Sequence, residues 1–290
     1  MPWLQLQINS SDDGAAAIET ALLEAGSVAV TLQDNADQPL FEPELGQTPL
    51  WQKTRVTGLF EADTDMGSLV AEYPQLASGK IEILEDKDWE REWMDNYQPM
   101  SFGKRLWICP SWRKPPDANA VNLMLDPGLA FGTGTHPTTA LCLEWLDQQH
   151  LDGTTVVDYG CGSGILSIAA LLLGASKVIA IDNDPQALLA TRDNAERNHI
   201  AEQRLQVLLP DQVPKYIQAD VVIANILAGP LCELSSVLLS LLRPSGQLAL
   251  SGILDSQQHM VAEHYRPAID FSIPAQREEW LRIQGTKQIE

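Results

Sequence analysis

The feature that most constrains the fold is a tight turn with three glycines, at positions 160, 162 and 164. An apolar run that ends near Val157 precedes the turn, and an apolar run typical of a packed helix follows it from Ile165. A second strand-like apolar run ends in Asp182, 22 residues after Gly160. The order of strand, turn, helix, strand and acid predicts one βαβ unit of a nucleotide-binding sheet.

The spacing of the glycines indicates the kind of nucleotide. A dinucleotide fold uses G-x-G-x-x-G, in which the pyrophosphate rests on the helix N-terminus and the third glycine permits close helix packing. Here Ile165 occupies the position of that third glycine. The turn at Gly160 and Gly162 therefore allows close backbone approach without a pyrophosphate cradle. This favours S-adenosylmethionine, with Asp182 accepting hydrogen bonds from its ribose hydroxyls. The alternative is a structural glycine turn followed by a chance acid.

Charge and cysteine content narrow the class of protein. The net charge of −20 opposes binding to a phosphate backbone and attracts basic partners. The four cysteines form no C-x-x-C pair and have no histidine at metal-ligand spacing, which favours reduced thiols over disulfides or a metal site. The N-terminus lacks a signal sequence, and no apolar stretch is long enough to span a membrane. We therefore expect a cytoplasmic, monomeric protein without membrane insertion.

The length of 290 residues and the element pattern predict two domains. Residues 1–84 follow the order β-α-β-β-α-β, which predicts a small α+β, ferredoxin-like domain. Residues 85–97 predict an amphipathic linker helix that carries Trp89 and Trp93, and residues 98–290 form the α/β nucleotide-binding domain.

The negative charge is concentrated near the N-terminus. Residues 1–95 hold 19 acidic and 5 basic side chains, a net of −14, whereas the other 195 residues have a net of −6. Either these acidic residues lie on ordinary solvent-exposed faces, or the first domain binds a basic partner.

Two further segments supply polar side chains for the cleft. A loop rich in glycine and threonine leads into a helix that begins near Pro137, where Thr135 or His136 can cap it and Thr139 can reach a ligand. The apolar strand 219–225 ends in Asn225. His136 is a weak candidate for catalysis because a single loop histidine is more often structural. No metal ligands and no general base are assigned.

Three blocks of the sequence carry distinctive motifs, namely Phe131-Gly132-Thr133-Gly134-Thr135-His136-Pro137-Thr138-Thr139, Asp158-Tyr159-Gly160-Cys161-Gly162-Ser163-Gly164 and Ala224-Asn225-Ile226-Leu227-Ala228-Gly229-Pro230. These blocks resemble the class I S-adenosylmethionine-dependent methyltransferases, and more closely the ribosomal protein L-eleven methyltransferase family (PrmA). The second block is shared widely among methyltransferases, whereas the first and third together are specific to a narrower group.

The resemblance implies a Rossmann-like, mostly parallel sheet and cofactor contacts from Thr139, Gly160, Asp182 and Asn225. It also implies that the N-terminal domain recognises a basic ribosomal protein whose lysine and α-amino groups are methylated. Where other amino methyltransferases carry N-P-P and an aromatic, this chain has Asn225-Ile226-Leu227-Ala228, which favours a flexible alkyl amine. The alternatives are a methyltransferase for another amine, a cofactor-binding module without turnover, and a dehydrogenase.

Overall fold

The computed structural model describes residues 2–36, 38, 49–85, 97–126, 134–214 and 216–289. The chain divides into two compact units, Met1–Asp95 and Asn96–Glu290. Residues 86–96, where the sequence predicts the linker helix with Trp89 and Trp93, lie outside the described residues, as does the loop 127–133.

The described part of the first unit is a four-stranded antiparallel sheet with two helices. Its strands are β1 (Trp3–Ser10), β2 (Ala29–Asp34), β3 (Thr54–Glu61) and β4 (Lys80–Leu84). Its helices are α1 (Asp12–Glu24) and α2 (Met66–Glu72). The order β2-β3-β1-β4 is that of the predicted ferredoxin-like sandwich. Alternate residues of β1, including Leu6 and Ile8, pack with Leu22 of α1 in the core.

The second unit contains the remaining described elements. The strands before the glycine turn are β5 (Met100–Phe102), β6 (Leu106–Cys109), β7 (Val121–Met124) and β8 (Thr155–Tyr159). Those after it are β9 (Lys177–Ile181), β10 (Leu205–Leu208), β11 (Ala219–Asn225), β12 (Leu242–Leu254), β13 (Ile269–Phe271), β14 (Ala275–Arg277) and β15 (Trp280–Lys287). The helices are α3 (Pro137–Gln148), α4 (Ile165–Leu172), α5 (Pro185–Arg197), α6 (Ala228–Glu233), α7 (Ser235–Leu241) and α8 (Gln258–Tyr265).

The large sheet has the order β10-β9-β8-β11-β12-β15-β13, and β14 pairs with β15. The first five strands are parallel, whereas β15 runs antiparallel to β12 and to β13. Strands β8, β9 and β11 are almost wholly buried because apolar clusters cover both faces of the sheet. The predicted fold class, α/β with a mostly parallel sheet beside a smaller α+β unit, is confirmed.

The sequence pattern predicts one helix over 231–242 and a turn over 243–246. The structure has two helices instead of one, α6 and α7, which meet at Leu234, where ψ is 2°. Residues 243–246 lie within β12, where pairing with β11 is interrupted by a bulge opposite Ala219 and Val221 and Ser245 has a left-handed φ of 60°. Pro244 fits there because bulged residues need not donate to the ladder.

The helix α8 had no sequence prediction. Among the described residues, no helix is long and apolar enough to cross a membrane.

Candidate active site

The site lies where the order of the parallel strands reverses. From β8 the chain adds β9 and then β10 on one side, and it returns to place β11 on the other side of β8. Open α/β sheets bind ligands at the carboxyl ends of the strands at such a switch point. The glycine turn follows β8, Asp182 follows β9, and Asn225 ends β11. The glycine turn and the two predicted site residues therefore lie together at the carboxyl ends of neighbouring strands.

The glycine turn needs residues without side chains. Gly160, Gly162 and Gly164 have φ angles of 80°, 53° and 77°, in the left-handed region that other residues rarely adopt. A Cβ built on Gly164 would lie 2.8 Å from Thr191 Cγ2, and one built on Gly160 would lie under 3.0 Å from Ile226 Cγ2. The backbone N–H groups of residues 160 and 161 both donate to Ile181 O, at 2.7 and 3.0 Å, which joins the turn to β9.

Asp182 is held by two main-chain donors. Its Oδ2 accepts a hydrogen bond from Gly162 N at 2.9 Å, and its Oδ1 accepts one from Asp184 N at 3.0 Å. Each carboxylate oxygen can accept more than one hydrogen bond, so both retain capacity for a ligand hydroxyl. The turn and the acid are thus fixed to each other at the carboxyl ends of β8 and β9.

Side chains from α5 complete the support of the turn. Thr191 Oγ1 donates to Gly162 O at 3.0 Å and lies 3.4 Å from Cys161 Sγ. Asn194 Nδ2 donates to Ser163 O at 2.9 Å. The sequence analysis missed both residues. The available signal was their spacing of three on one helix, which places them on the same face.

Asp158 lies beneath the turn and is fully buried. Ser167 Oγ donates to its Oδ2 at 2.6 Å, whereas its Oδ1 has no hydrogen-bond partner among the described residues. Burial raises the pKa of Asp158 to about 6, although the bond from Ser167 opposes the shift. A buried carboxyl group with a raised pKa therefore lies beneath the turn.

Thr139 and Asn225 meet on the other side of the switch point. Asn225 Nδ2 donates to Thr139 Oγ1 at 3.3 Å, across 86 residues of sequence. Thr139 is buried in the first turn of α3, and Asn225 is half-buried at the end of β11. With its amide nitrogen held by Thr139, the Asn225 Oδ1 atom has an acceptor lone pair for a bound molecule.

His136 has a structural position. It is the N-cap of α3, and its Nδ1 accepts from Thr138 N at 3.3 Å. Its ring contacts the edge of Trp280, with centroids 5.0 Å apart. Burial lowers the pKa of His136, so the ring is mainly neutral at pH 7. The predicted cap is confirmed, and the structure gives no catalytic assignment for this histidine.

The comparison with known families identifies the family of the chain. The family model described as ribosomal protein L11 methyltransferase (PrmA) matches residues 2–288. The chain belongs to the ribosomal protein L11 methyltransferase family. The resemblance expected from the three sequence blocks is confirmed, and with it an enzyme that transfers methyl groups.

Relatives of similar length carry the same family name. A ribosomal protein L11 methyltransferase of Klebsiella pneumoniae (strain 342) is 59% identical over 293 residues, which cover 99% of this chain and 100% of the relative. One of Vibrio cholerae serotype O1 (strain M66-2) is 58% identical over 294 residues, 99% of each chain. The crystal structure of a ribosomal protein L11 methylase from Lactobacillus delbrueckii subsp. bulgaricus is 30% identical, with a TM-score of 0.59, over 67% of this chain and all of that one.

Two other features, a cleft away from the expected cofactor residues and a pair of buried cysteines, have no role in the predicted site. A polar cleft of about 470 Å³ lies between α3 and β15 and includes Trp145, Arg282 and Gln284, but none of the five predicted cofactor residues. Burial raises the pKa of the Cys142 thiol to about 12 and also raises that of Cys161, so both are protonated at neutral pH. Neither cysteine is therefore a nucleophile in the ground state.

Proposed function

We propose that this protein transfers methyl groups from S-adenosylmethionine to the lysine side-chain and N-terminal amines of ribosomal protein L11. The observation that carries this proposal is the juxtaposition of two pairs at neighbouring strand ends. Asp182 is bonded to the glycine turn after β8, and Asn225 is bonded to Thr139 after β11. Both pairs belong to a chain of the L11 methyltransferase family.

The residues present fit S-adenosylmethionine. Gly160 and Gly162 leave the backbone open to close approach, and Asp182 can accept from ribose hydroxyls. The helix α4 begins after Gly164 with Ile165, so its N-terminus lacks the third glycine of a pyrophosphate site. We propose Thr139, Gly160, Gly162, Asp182 and Asn225 as the residues that hold the cofactor. When bound, S-adenosylmethionine supplies a methyl group that its positive sulfur already activates.

The chain therefore has to orient an amine rather than provide a nucleophile. We assign this task to Asn225, whose Oδ1 can accept one N–H of a neutral amine while its Nδ2 remains bonded to Thr139. Such a bond directs the amine lone pair, and holding the two reactants together supplies catalysis by orientation. Ile226 and the half-exposed Leu227 follow Asn225 and add apolar surface, which suits the alkyl chain of a lysine.

Substrate recognition is assigned to the N-terminal unit, 1–84, with 85–97 as the linker and 98–290 as the catalytic unit. The support is the net charge of −14 over residues 1–95, which attracts a basic ribosomal protein. Many of these acids are exposed in the described part of the unit, namely Asp12, Asp13, Glu24, Glu61, Asp63, Asp65, Glu72 and Glu85.

The test is transfer of a tritiated methyl group from S-adenosylmethionine to total ribosomal protein, free and in the large subunit. We expect label in L11 and on its amine groups. Label mainly in another protein or in small amines would point to a different acceptor, and cofactor binding without any label would indicate a non-catalytic module. A fragment that begins near Gln98 should bind the cofactor but lose methylation of L11 at ordinary concentrations. Equal efficiency of that fragment would remove the docking role from the N-terminal unit.

A further inference from the structure

Ile226 contacts two glycines that are far apart in sequence. The first is Gly252, in β12, where the pairing with β15 shifts between Ser251 and Ile253. Gly252 has a φ of 85°, and a Cβ built on it would lie under 3.0 Å from the carbonyl carbon and oxygen of Ile226. The bulge in β12 and the missing side chain together let the backbone of Ile226 lie directly against this strand.

The side chain of Ile226 meets the second glycine. A Cβ built on Gly160 would lie under 3.0 Å from Ile226 Cγ2, although 3.8 Å from Ile226 Cβ. The same isoleucine thus has its backbone on Gly252 and a methyl group on the first glycine of the cofactor turn. Because protein interiors are close-packed, a methyl group added at either glycine would force Ile226 to move.

The residues on either side of Ile226 are the ones that the proposed function places beside the amine. Asn225 is the last residue of β11, paired with Ser251, and its side chain holds Thr139. Leu227 is 51% exposed and precedes α6, whose Ala228 and Leu231 are fully buried. Ile226 is therefore the packed point between a polar residue proposed to orient the amine and an apolar residue at the rim.

We propose that Ile226 is a positioning residue, which Gly160 and Gly252 hold between them, and that it sets the place of Asn225 and Leu227 relative to the cofactor turn. This inference rests on the proposed function, because it concerns the geometry of the same transfer. The proposal predicts that the rate of methyl transfer can change while the affinity for the cofactor does not. Displacing the Ile226 backbone from the β12 side slows methyl transfer while the cofactor turn, with its hydrogen bond to Asp182 and the one it accepts from Thr191, stays intact.

The first test compares Gly252→Ala with Gly153→Ala. Gly153 also has a left-handed φ, of 76°, but a Cβ built there meets nothing within 4 Å, so both variants carry the backbone strain and only Gly252→Ala meets Ile226. Calorimetry gives the Kd for S-adenosylmethionine, and single-turnover assays with saturating L11 give the transfer rate. Since a displacement of about 1 Å can cost about 100-fold in rate, we expect Gly252→Ala to lose roughly 30- to 100-fold in rate. Its Kd should change less than about 3-fold, the scale of one weak contact, and Gly153→Ala should match the wild type in both.

The second test uses the fact that Gly160 meets the side chain of Ile226, whereas Gly252 meets its backbone. Ile226→Ala removes the Cγ2 atom that a side chain on residue 160 would strike, whereas Ile226→Val keeps a methyl group there. Ile226→Ala should therefore partly restore the rate of Gly160→Ala, but it should not restore Gly252→Ala, whose obstacle is the 226 backbone. Alone, Ile226→Ala should lose more rate than Ile226→Val, a comparison that does not depend on either glycine variant folding.

Three outcomes would overturn the positioning role. They are equal losses of rate and affinity in Gly252→Ala, equal rescue of both glycine variants by Ile226→Ala, and equal rates for Ile226→Ala and Ile226→Val. Failure of the proposed function is distinguishable from these, because the wild-type protein would then not label L11 at all.

Discussion

The two sides of the active site are held by different forces. On the cofactor side, the turn after β8 donates a hydrogen bond to Asp182 and accepts hydrogen bonds from Thr191 and Asn194. On the acceptor side, Ile226 is fixed by close packing on two glycines, and the polar contact of Asn225 with Thr139 is longer, at 3.3 Å. The cofactor side thus depends on hydrogen bonds, whereas the side proposed to bind the methyl acceptor depends on close packing. Substitutions on the cofactor side should change the affinity for the cofactor or the pH dependence of stability. Substitutions on the acceptor side should change the rate of methyl transfer.

The largest expected effect concerns the buried Asp158 beneath the turn. Its pKa of about 6 exceeds the ordinary 3.8, so the folded protein binds this proton more tightly than the unfolded chain does. The resulting stability is fully present below about pH 4 and is lost as the pH rises to about 6. Relative to Asp158→Asn, which does not titrate, wild-type stability should fall by on the order of 3 kcal/mol across this window. Urea denaturation at several pH values measures the difference.

Ser167→Ala serves as the companion variant. The Ser167 hydroxyl lowers the pKa of Asp158, so its removal should move the pH-dependent loss to higher pH. Parallel stability curves for the wild type and Asp158→Asn would contradict a raised pKa.

The next effect concerns the cofactor affinity supplied by Asp182. Asp182→Ala should weaken S-adenosylmethionine binding by about 1.5–3 kcal/mol, the range for hydrogen bonds to a charged group. Asp184→Ala is the control, because Asp184 caps α5 through Gln186 N and its loss should cost about 1 kcal/mol of stability without loss of affinity. Calorimetry measures both Kd values. Wild-type affinity in Asp182→Ala would remove this acid from the site.

The smallest effect is that of Thr191, which donates to the backbone of the turn at Gly162 O and lies against Cys161 Sγ. Thr191→Val keeps the shape but loses the donor to Gly162 O, and we expect a loss of about 1 kcal/mol, or about 5-fold in the cofactor Kd. Thr191→Ser retains the hydroxyl and should stay close to wild type. The transfer rate at saturating cofactor should not change in either variant. A lower transfer rate in Thr191→Val without weaker cofactor binding would contradict the distinction between the cofactor side and the acceptor side.

The cofactor side was largely predictable from the sequence because its elements are local. An apolar strand, a glycine turn and an acid at a fixed distance form a pattern within about 30 residues, the size of a βαβ unit. The structure places Asp182 against Gly162, and Asn225 against Thr139, in agreement with that expectation of a shared cleft. Their contacts with the cofactor stay predictions.

The acceptor side was not predictable in the same way. A single glycine within an apolar strand, such as Gly252, indicates a bulge or a close approach but not what approaches it. The contact of Gly252 with Ile226 depends on the register of β11 against β12, which the sequence pattern does not specify. The split of α6 from α7 and the bulge in β12 were missed for a related reason, because tertiary packing decided them.

The sequence separation of these contacts has a consequence for how the site assembles. Gly162 meets its partners Asp182 and Thr191 within 29 residues, whereas Asn225 meets Thr139 across 86 residues and Ile226 reaches Gly160 across 66 residues. Short loops close at lower entropic cost than long ones, and contacts of this local kind form early in folding. During synthesis, the stretch from β8 to α5 can therefore fold before β12 has emerged. The site is completed only when β12 docks, so the catalytic geometry is the last part of this cleft to mature.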